Sequence, residues 1–371
     1  MSAVFSAGRI GALELANRLV RSATGERMCR PTGRVTPLLV EFYARLAEGG
    51  VGLIVTGHSF VRADGKASEG MMGVHSDAML PGLRQLVEAV HARGGRIVCQ
   101  LNHAGRQTRP ELTGGKRPIA PSAVTDRATG ITPRALAAAE IEPLIESYVE
   151  AARRCRDAGF DGVQLHCAHG YLMSEFISPY TNRREDAWGG SLEARARFPL
   201  EVLRRIRAAL GREFPVLVKL NAEDFIEGGL TLGESCRIAA MLEKEGIDAI
   251  EISAGMAETV DKIVRKNVAG PEQEAYFLPY AREFRRWVSV PLILVGGLRS
   301  LGVMELVLQS GAADFVSLSR PLIREPELPR KLRDGAATRA ACVSCNCCGP
   351  DPEGRLACTL DLQLAKRQAE P

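Results

Sequence analysis

Long apolar runs are missing from this chain. No stretch approaches the roughly 18 residues that a bilayer span requires, so no membrane partner is expected. Charge of one sign is in short supply too. There are 48 basic and 44 acidic residues, for a net charge of +4, and no basic run is interleaved with aromatics. Nucleic acid is therefore not an expected partner. The opening, MSAVFSAGRIGALELANRLV, has no charged segment leading into an apolar one, so a signal peptide is not expected and the cytoplasm is the expected compartment. Only six histidines occur. A Gly-x-Gly-x-x-Gly turn, the common mark of an open dinucleotide-binding sheet, is absent after the first strand-like run.

What is present is ordinary in bulk and uneven in detail. The 371 residues are 46% hydrophobic and 25% charged, enough for a large buried core. Of ten cysteines, Cys29, Cys99, Cys155, Cys167 and Cys236 are scattered, and five crowd between 342 and 358. That asymmetry argues against a secreted disulfide framework and for a reduced compartment with one cysteine-rich segment.

Eight short strand-like runs recur: Arg18–Ser22, Val51–Gly57, Arg96–Leu101, Gly162–His166, Val216–Leu220, Ala249–Ser253, Leu292–Gly296 and Phe315–Ser319. Most are apolar without strict alternation, as strands buried on both faces are. Helical patterns lie between them. Ile141, Leu144, Ile145, Tyr148, Val149, Ala152 and Cys155 mark one apolar helix face, and other helices are expected to begin near Thr36, Pro81, Ser191, Thr231, Glu272, Ser300 and Glu327. Gly50, Gly95, Gly159, Gly246 and Gly311 suit helix C-caps. Eight strand–helix units predict an α/β fold of the (β/α)₈ TIM-barrel type over residues 1–337, with a Cys-rich C-terminal extension over 338–371. The long connections 102–140 and 171–190 follow strands three and four, so both should line the catalytic face.

Chemistry gathers at strand ends. His166, His169 and Tyr171 lie within six positions after Val163-Gln164-Leu165. Imidazoles there suit oxyanion stabilisation and a phenol suits proton donation. Hydrogen-bonded loop histidines, or a zinc pair, are the alternatives. Gly296 and Gly297 after strand seven, with Ser319 and Arg320 after strand eight, suit a phosphate; a plain turn is the alternative. Gln100 and Lys219 are polar within apolar runs, fit for a flavin edge or simply for reaching solvent. Cys342, Cys345, Cys348 and Cys358 give C-x₂-C-x₂-C-x₉-C, with Cys347 spare, a spacing that fits an iron–sulfur cluster or zinc.

NRLVRSAT (Asn17–Thr24), CQLNHAGRQ (Cys99–Gln107), the block Leu165–Phe198 and LVGG…SLSRP resemble the Old Yellow Enzyme family of FMN-dependent NAD(P)H oxidoreductases. The resemblance spans nearly the whole barrel. It implies FMN across the barrel mouth, touched by Gln100 and Lys219, lined by Ala23, Thr24 and Gly57, with its phosphate held near Gly296, Gly297, Ser319 and Arg320. It further implies that His166 and His169 bind a substrate carbonyl oxygen and that Tyr171 donates a proton. The implied activity is ene reduction: hydride from NAD(P)H reaches the C=C of an α,β-unsaturated carbonyl through the flavin. The cysteine tail resembles the 2,4-dienoyl-CoA reductase and trimethylamine dehydrogenase branch, where a [4Fe-4S] cluster precedes further nucleotide-binding domains. Thirteen residues follow Cys358, so no such domain is expected here. Gly25 departs from the Thr, Cys or aromatic common beside the flavin, and Lys219 stands where many relatives carry Arg. Three rival readings are a dienoyl or amine dehydrogenase-like subunit passing electrons through the tail, a metal-dependent barrel hydrolase using His166 and His169, and a flavin binder without turnover. The expected partner is a small-molecule enone, with homo-oligomers admitted.

Overall fold

Eight parallel strands close on themselves in this computed structural model, which describes residues 2–369, with side chains to Leu364. Residues 370 and 371, the end of the expected extension, lie outside the described residues. The strands are β1 (Leu19–Arg21), β2 (Leu53–Val55), β3 (Ile97–Asn102), β4 (Val163–Cys167), β5 (Val216–Asn221), β6 (Ala249–Ser253), β7 (Leu292–Val295) and β8 (Phe315–Leu318). Each pairs in parallel with its sequence neighbours, and β8 returns to β1. This is the expected TIM barrel, with no open edge left among the eight.

Three of the helices outside the barrel start at side-chain caps. Thr36 accepts a bond from the Leu39 amide ahead of α1 (Pro37–Glu48), and Ser191 does the same for the Ala194 amide ahead of the helix Leu192–Leu210. Thr231 and Glu234 form a reciprocal capping box before the helix Leu232–Lys244. One expected start is displaced. Around Glu272 there is only a short 3₁₀ turn, Pro271–Gln273, and the helix begins later, at Leu278. The left-handed residue ending the helix Leu80–His91 is Gly94 (φ +71°); Gly95 is not left-handed.

Side chains at alternate strand positions fill the barrel in layers, as the two-residue period requires. The lower layer is apolar: Val20, Leu53, Val55, Val98, Leu217, Ala249, Ile293 and Phe315, plugged by Ile10 and Leu15 of an N-terminal hairpin. Two positions further along β3, β5, β6 and β8, the inward series turns polar at Gln100, Lys219, Glu251 and Ser317. The catalytic face lies above that polar layer.

The segment beyond residue 337 folds back onto this face. The Ala340 amide donates to Arg299 O (2.9 Å), and the Ala341 amide donates to Glu325 Oε2 (2.6 Å). Arg324 grips Asp361 with two bonds of 2.9 and 2.7 Å. A small antiparallel ladder, Cys348–Pro350 with Leu356–Cys358, sets Cys348 opposite Cys358.

Candidate active site

Burial governs the polar layer. Glu251 is fully enclosed, and four side chains converge on its carboxylate. Ser22 and Ser317 donate to Oε1 (2.6 and 3.0 Å), Gln164 donates to Oε2 (2.9 Å), and Lys219 Nζ stands 3.2 Å from Oε1. Lys219 also donates to Ser22 Oγ (2.8 Å), and Gln100 passes its amide hydrogen to Gln164 (2.7 Å). Burial pulls the Lys219 ammonium down and Glu251 opposes this. Burial pushes the Glu251 carboxyl up, but Lys219, Ser22 and Gln164 hold it below its ordinary range. Gln100 and Lys219 are therefore members of a buried network and do not reach bulk solvent. Glu251 and Gln164, which the sequence reading passed over, anchor it.

Above the network stand the aromatic and imidazole rings. The His166 centroid is 5.2 Å from that of His169 and 5.0 Å from that of Tyr171. His58, also unforeseen, lies 5.1 Å from Tyr171 and 6.2 Å from His166. Tyr171 holds the N-cap position of the short helix Leu172–Ile177 without a side-chain capping bond, and its ring packs beside those of His58 and His166. His169 adopts φ +64°, a left-handed conformation uncommon outside glycine, and its Nε2 lies 2.7 Å from Ser253 Oγ. Gln107 donates to His169 O (2.7 Å), so the loop after β3 holds the loop after β4. His166 Nδ1 is buried without a partner among the described residues. No group of three His, Cys, Asp or Glu side chains is placed to ligate a metal there among the described residues.

These rings are neutral at physiological pH. Burial lowers His169 to about 3 and His58 to about 4, and it carries His166 well below the ordinary histidine range. Burial raises Tyr171 to about 12.

Two connected cavities open from this point. The inner one, about 110 Å³, is lined by Ala23, His169, Lys219, Gly297, Ser319 and Arg320, among others. The outer cleft, about 720 Å³, takes in Thr24, His58, Tyr171 and Cys348, and shares Ser319 and Arg320 with the inner one. Lys219 and Arg320 on one cavity wall, with apolar side chains such as Ala23, Val295 and Leu298 between the polar ones, suit a flat ring bearing a phosphate. The close-packed glycines agree. A Cβ on Gly57 would meet Glu26 Oε2 at 2.0 Å, and one on Gly297 (φ +71°) would meet the Tyr276 ring at 2.8 Å. Gly296 gives its carbonyl to the Tyr276 amide (3.2 Å). Arg299, a buried guanidinium not foreseen from sequence, adds charge beside Arg320 and Arg339. Arg320 itself donates to Arg265 O (2.9 Å) and to Asn346 Oδ1, tying the expected phosphate end to the tail.

The tail thiols share one neighbourhood. Burial first, then Cys342, Cys358 and Cys345, raise Cys348 to about 11. Cys342 is buried, Cys345, Cys348 and Cys358 are half-buried and Cys347 is exposed. No three of them are drawn within ligating reach of one ion among the described residues, so the arrangement does not by itself form the expected iron–sulfur or zinc site.

Residues 3–339 match the NADH:flavin oxidoreductase / NADH oxidase family. The chain is 41% identical over 347 residues to the NADH oxidase of Thermoanaerobacter brockii, covering 92% of this chain and 52% of that protein. Its fold is similar to 2-naphthoyl-CoA reductase in complex with 2-naphthoyl-CoA, at TM-score 0.85 and 31% identity, covering 90% of this chain and 52% of that one. It is also similar to morphinone reductase, at TM-score 0.79 and 30% identity, covering 95% and 92%. The chain spans about half the length of the first curated relatives it matches. With the barrel, the ring cluster and these likenesses together, the chain belongs to the NADH:flavin oxidoreductase / NADH oxidase family, the FMN-dependent Old Yellow Enzyme family.

Proposed function

We propose that this protein is an ene-reductase, delivering hydride from NAD(P)H through FMN to the C=C of an α,β-unsaturated carbonyl compound. The observation that carries the reading is the neutral cluster of His166, His169 and Tyr171 beside a cleft bounded by Lys219 and Arg320. FMN, when bound, supplies the redox step between nicotinamide and substrate. Lys219 and Ala23 border its ring in this reading, Thr24, Gly57 and Gln100 pack around it, and Gly296, Gly297, Ser319 and Arg320 surround its phosphate.

The chain's own groups do the polar work. His166 and His169 stand edge to face beside the cleft, so a carbonyl oxygen held by them gains hydrogen bonds as it becomes enolate-like. Neutral imidazoles can donate without first losing a proton. The Tyr171 hydroxyl makes no bond to another described group and stays protonated, so it can deliver a proton to the α-carbon. Glu251 fixes the height and direction of Lys219 from below.

A second reading has one observation in its favour: Cys348 borders the same cleft as Tyr171. An electron-transferring dehydrogenase subunit would place a cluster there. In either reading the donor chemistry of Cys342, Cys345, Cys348 and Cys358, and their shared neighbourhood, support a metal centre.

The test is direct. Purified holoenzyme is supplied with NADPH or NADH and 2-cyclohexen-1-one without oxygen. Saturated ketone formed in step with nicotinamide oxidation is the expected outcome. Flavin that bleaches with nicotinamide but is never reoxidised by enones would favour the dehydrogenase reading.

A further inference from the structure

Three charged side chains line the outer cleft: Glu26, Arg27 and Arg320. Two are already engaged. Glu26 Oε1 accepts bonds from Arg21 (2.8 Å), from the Gly57 amide (3.0 Å) and from the Tyr43 hydroxyl (2.5 Å). Arg320 donates to Arg265 O and to Asn346. Arg27 makes neither an ion pair nor a side-chain hydrogen bond among the described residues. Its backbone is left-handed at φ +57°, a conformation a non-glycine residue adopts at a cost, and Gly70 packs so closely on it that a Cβ there would meet Arg27 O at 2.2 Å. The strained turn fixes where this guanidinium leaves the backbone.

Its location matters more than its exposure. Arg27 borders the cleft together with His58 and Tyr171. Its charge reaches both, lowering His58 further and working against the burial that raises Tyr171. Among the described residues it is thus the one uncommitted cation lining the cleft where a reacting molecule would sit.

We propose that Arg27 is the anion-reading residue of this cleft: the molecule it selects carries a carboxylate or phosphate beyond the group held by the imidazoles. The inference rests on the ene-reductase reading for the identity of the reaction, but the recognition chemistry stands apart from it. A guanidinium presents a planar fork that matches carboxylate and phosphate oxygens two at a time, which an ammonium cannot do. The anion has two sources, a carboxylate on the substrate or the extra phosphate of NADPH, and they are separable.

The experiment compares wild type, Arg27→Gln and Arg27→Lys as FMN-loaded full-length enzymes of matched flavin content. In the first arm, kcat/KM is measured for trans-4-oxo-2-pentenoate and for its methyl ester. In the second, the rate of flavin reduction is measured with NADPH and with NADH. In the third, binding of 4-hydroxybenzoate and of 4-hydroxybenzamide is followed by the flavin absorbance. A charge-assisted hydrogen bond is typically worth about 10- to 100-fold in affinity. Arg27→Gln should therefore lower the acid-to-ester ratio and the benzoate-to-benzamide ratio by about tenfold or more, with Arg27→Lys retaining part of each. A fall in the NADPH-to-NADH ratio alone would assign the anion to the nucleotide phosphate. No change in any of the three ratios overturns the proposal. If wild type reduces neither pentenoate nor ester, while benzoate binding still depends on Arg27, the ene-reductase reading fails and the anion site stands.

Discussion

His166, His169 and His58 share one constraint: each imidazole is held neutral by its surroundings, chiefly by burial. The unfolded chain takes up protons at these positions near the ordinary 6.5, whereas the folded chain resists down to about 3 at His169. The burial therefore costs nothing above pH 6.5 and destabilises increasingly as pH falls below it. For turnover, neither the imidazoles nor Tyr171 at about 12 titrates near neutrality. The enone half-reaction should accordingly run flat from about pH 6 to 9, measured as flavin reoxidation rate. A bell centred near 6.5 would show a histidine cycling its proton. Glu251 offers a second residue-scale prediction. Glu251→Ala leaves Lys219 buried without its counter-charge, which should cost about 3–5 kcal/mol of stability by denaturant unfolding. Adding Lys219→Met to that variant should restore part of the loss, because the two sites are in direct contact (3.2 Å).

At the scale of elements, the sequence was legible where burial is uniform. The eight barrel strands are enclosed on both faces, so they read as short apolar runs, and the helix starts at Thr36, Ser191 and Thr231 carry caps that print themselves in sequence. The helix expected near Glu272 was not legible. Pro271 can open a 3₁₀ turn as readily as a helix, and Pro279 at the start of the later helix gave the competing signal. The site was half legible for a related reason. Gln100 and Lys219 stand out as polar residues in apolar strands, and Gln164 and Glu251 carry the same signal, in VQL and AIEIS, but belong to no chemical motif. His58 lies outside the His-Cys-Ala-His block and is brought in only by barrel closure.

Two element-scale predictions concern the helix after Tyr171 and the C-terminal tail. Burial raises Glu175, on the helix after Tyr171, to about 8, with the Arg106 guanidinium and amide opposing. The folded chain then holds a proton that the unfolded chain releases near 4.5, so this site destabilises the fold progressively as pH rises from about 4.5 to about 8. Glu175→Gln should flatten that slope, its Tm gaining on wild type from pH 5 to 8.5. In the tail, Cys342→Ser with Cys345→Ser should remove bound iron or zinc from anaerobically purified protein and lower Tm, because metal ligation contributes to folding. Metal-free wild type under those conditions would leave the thiols without that role.

On the scale of the whole molecule, closure of the barrel brings Ser22, just past β1, and residues from β3, β4, β5, β6 and β8 into one polar layer, and the loops above them into one cleft. The segment beyond residue 337 borders that cleft through Asn346, Cys348 and Pro350, so the cysteine-rich stretch and the chemistry share a wall. The central claim is that Tyr171 delivers a proton to a substrate whose oxygen is held by His166 and His169. Anaerobic double-mixing stopped-flow tests it most directly: the holoenzyme is reduced with NADPH, then mixed with 2-cyclohexen-1-one, for wild type and Tyr171→Phe. The account predicts that flavin reduction stays close to wild type, while flavin reoxidation by the enone slows by about 10²- to 10⁴-fold, the usual cost of losing one positioned proton donor. Reoxidation at the wild-type rate in Tyr171→Phe would contradict it.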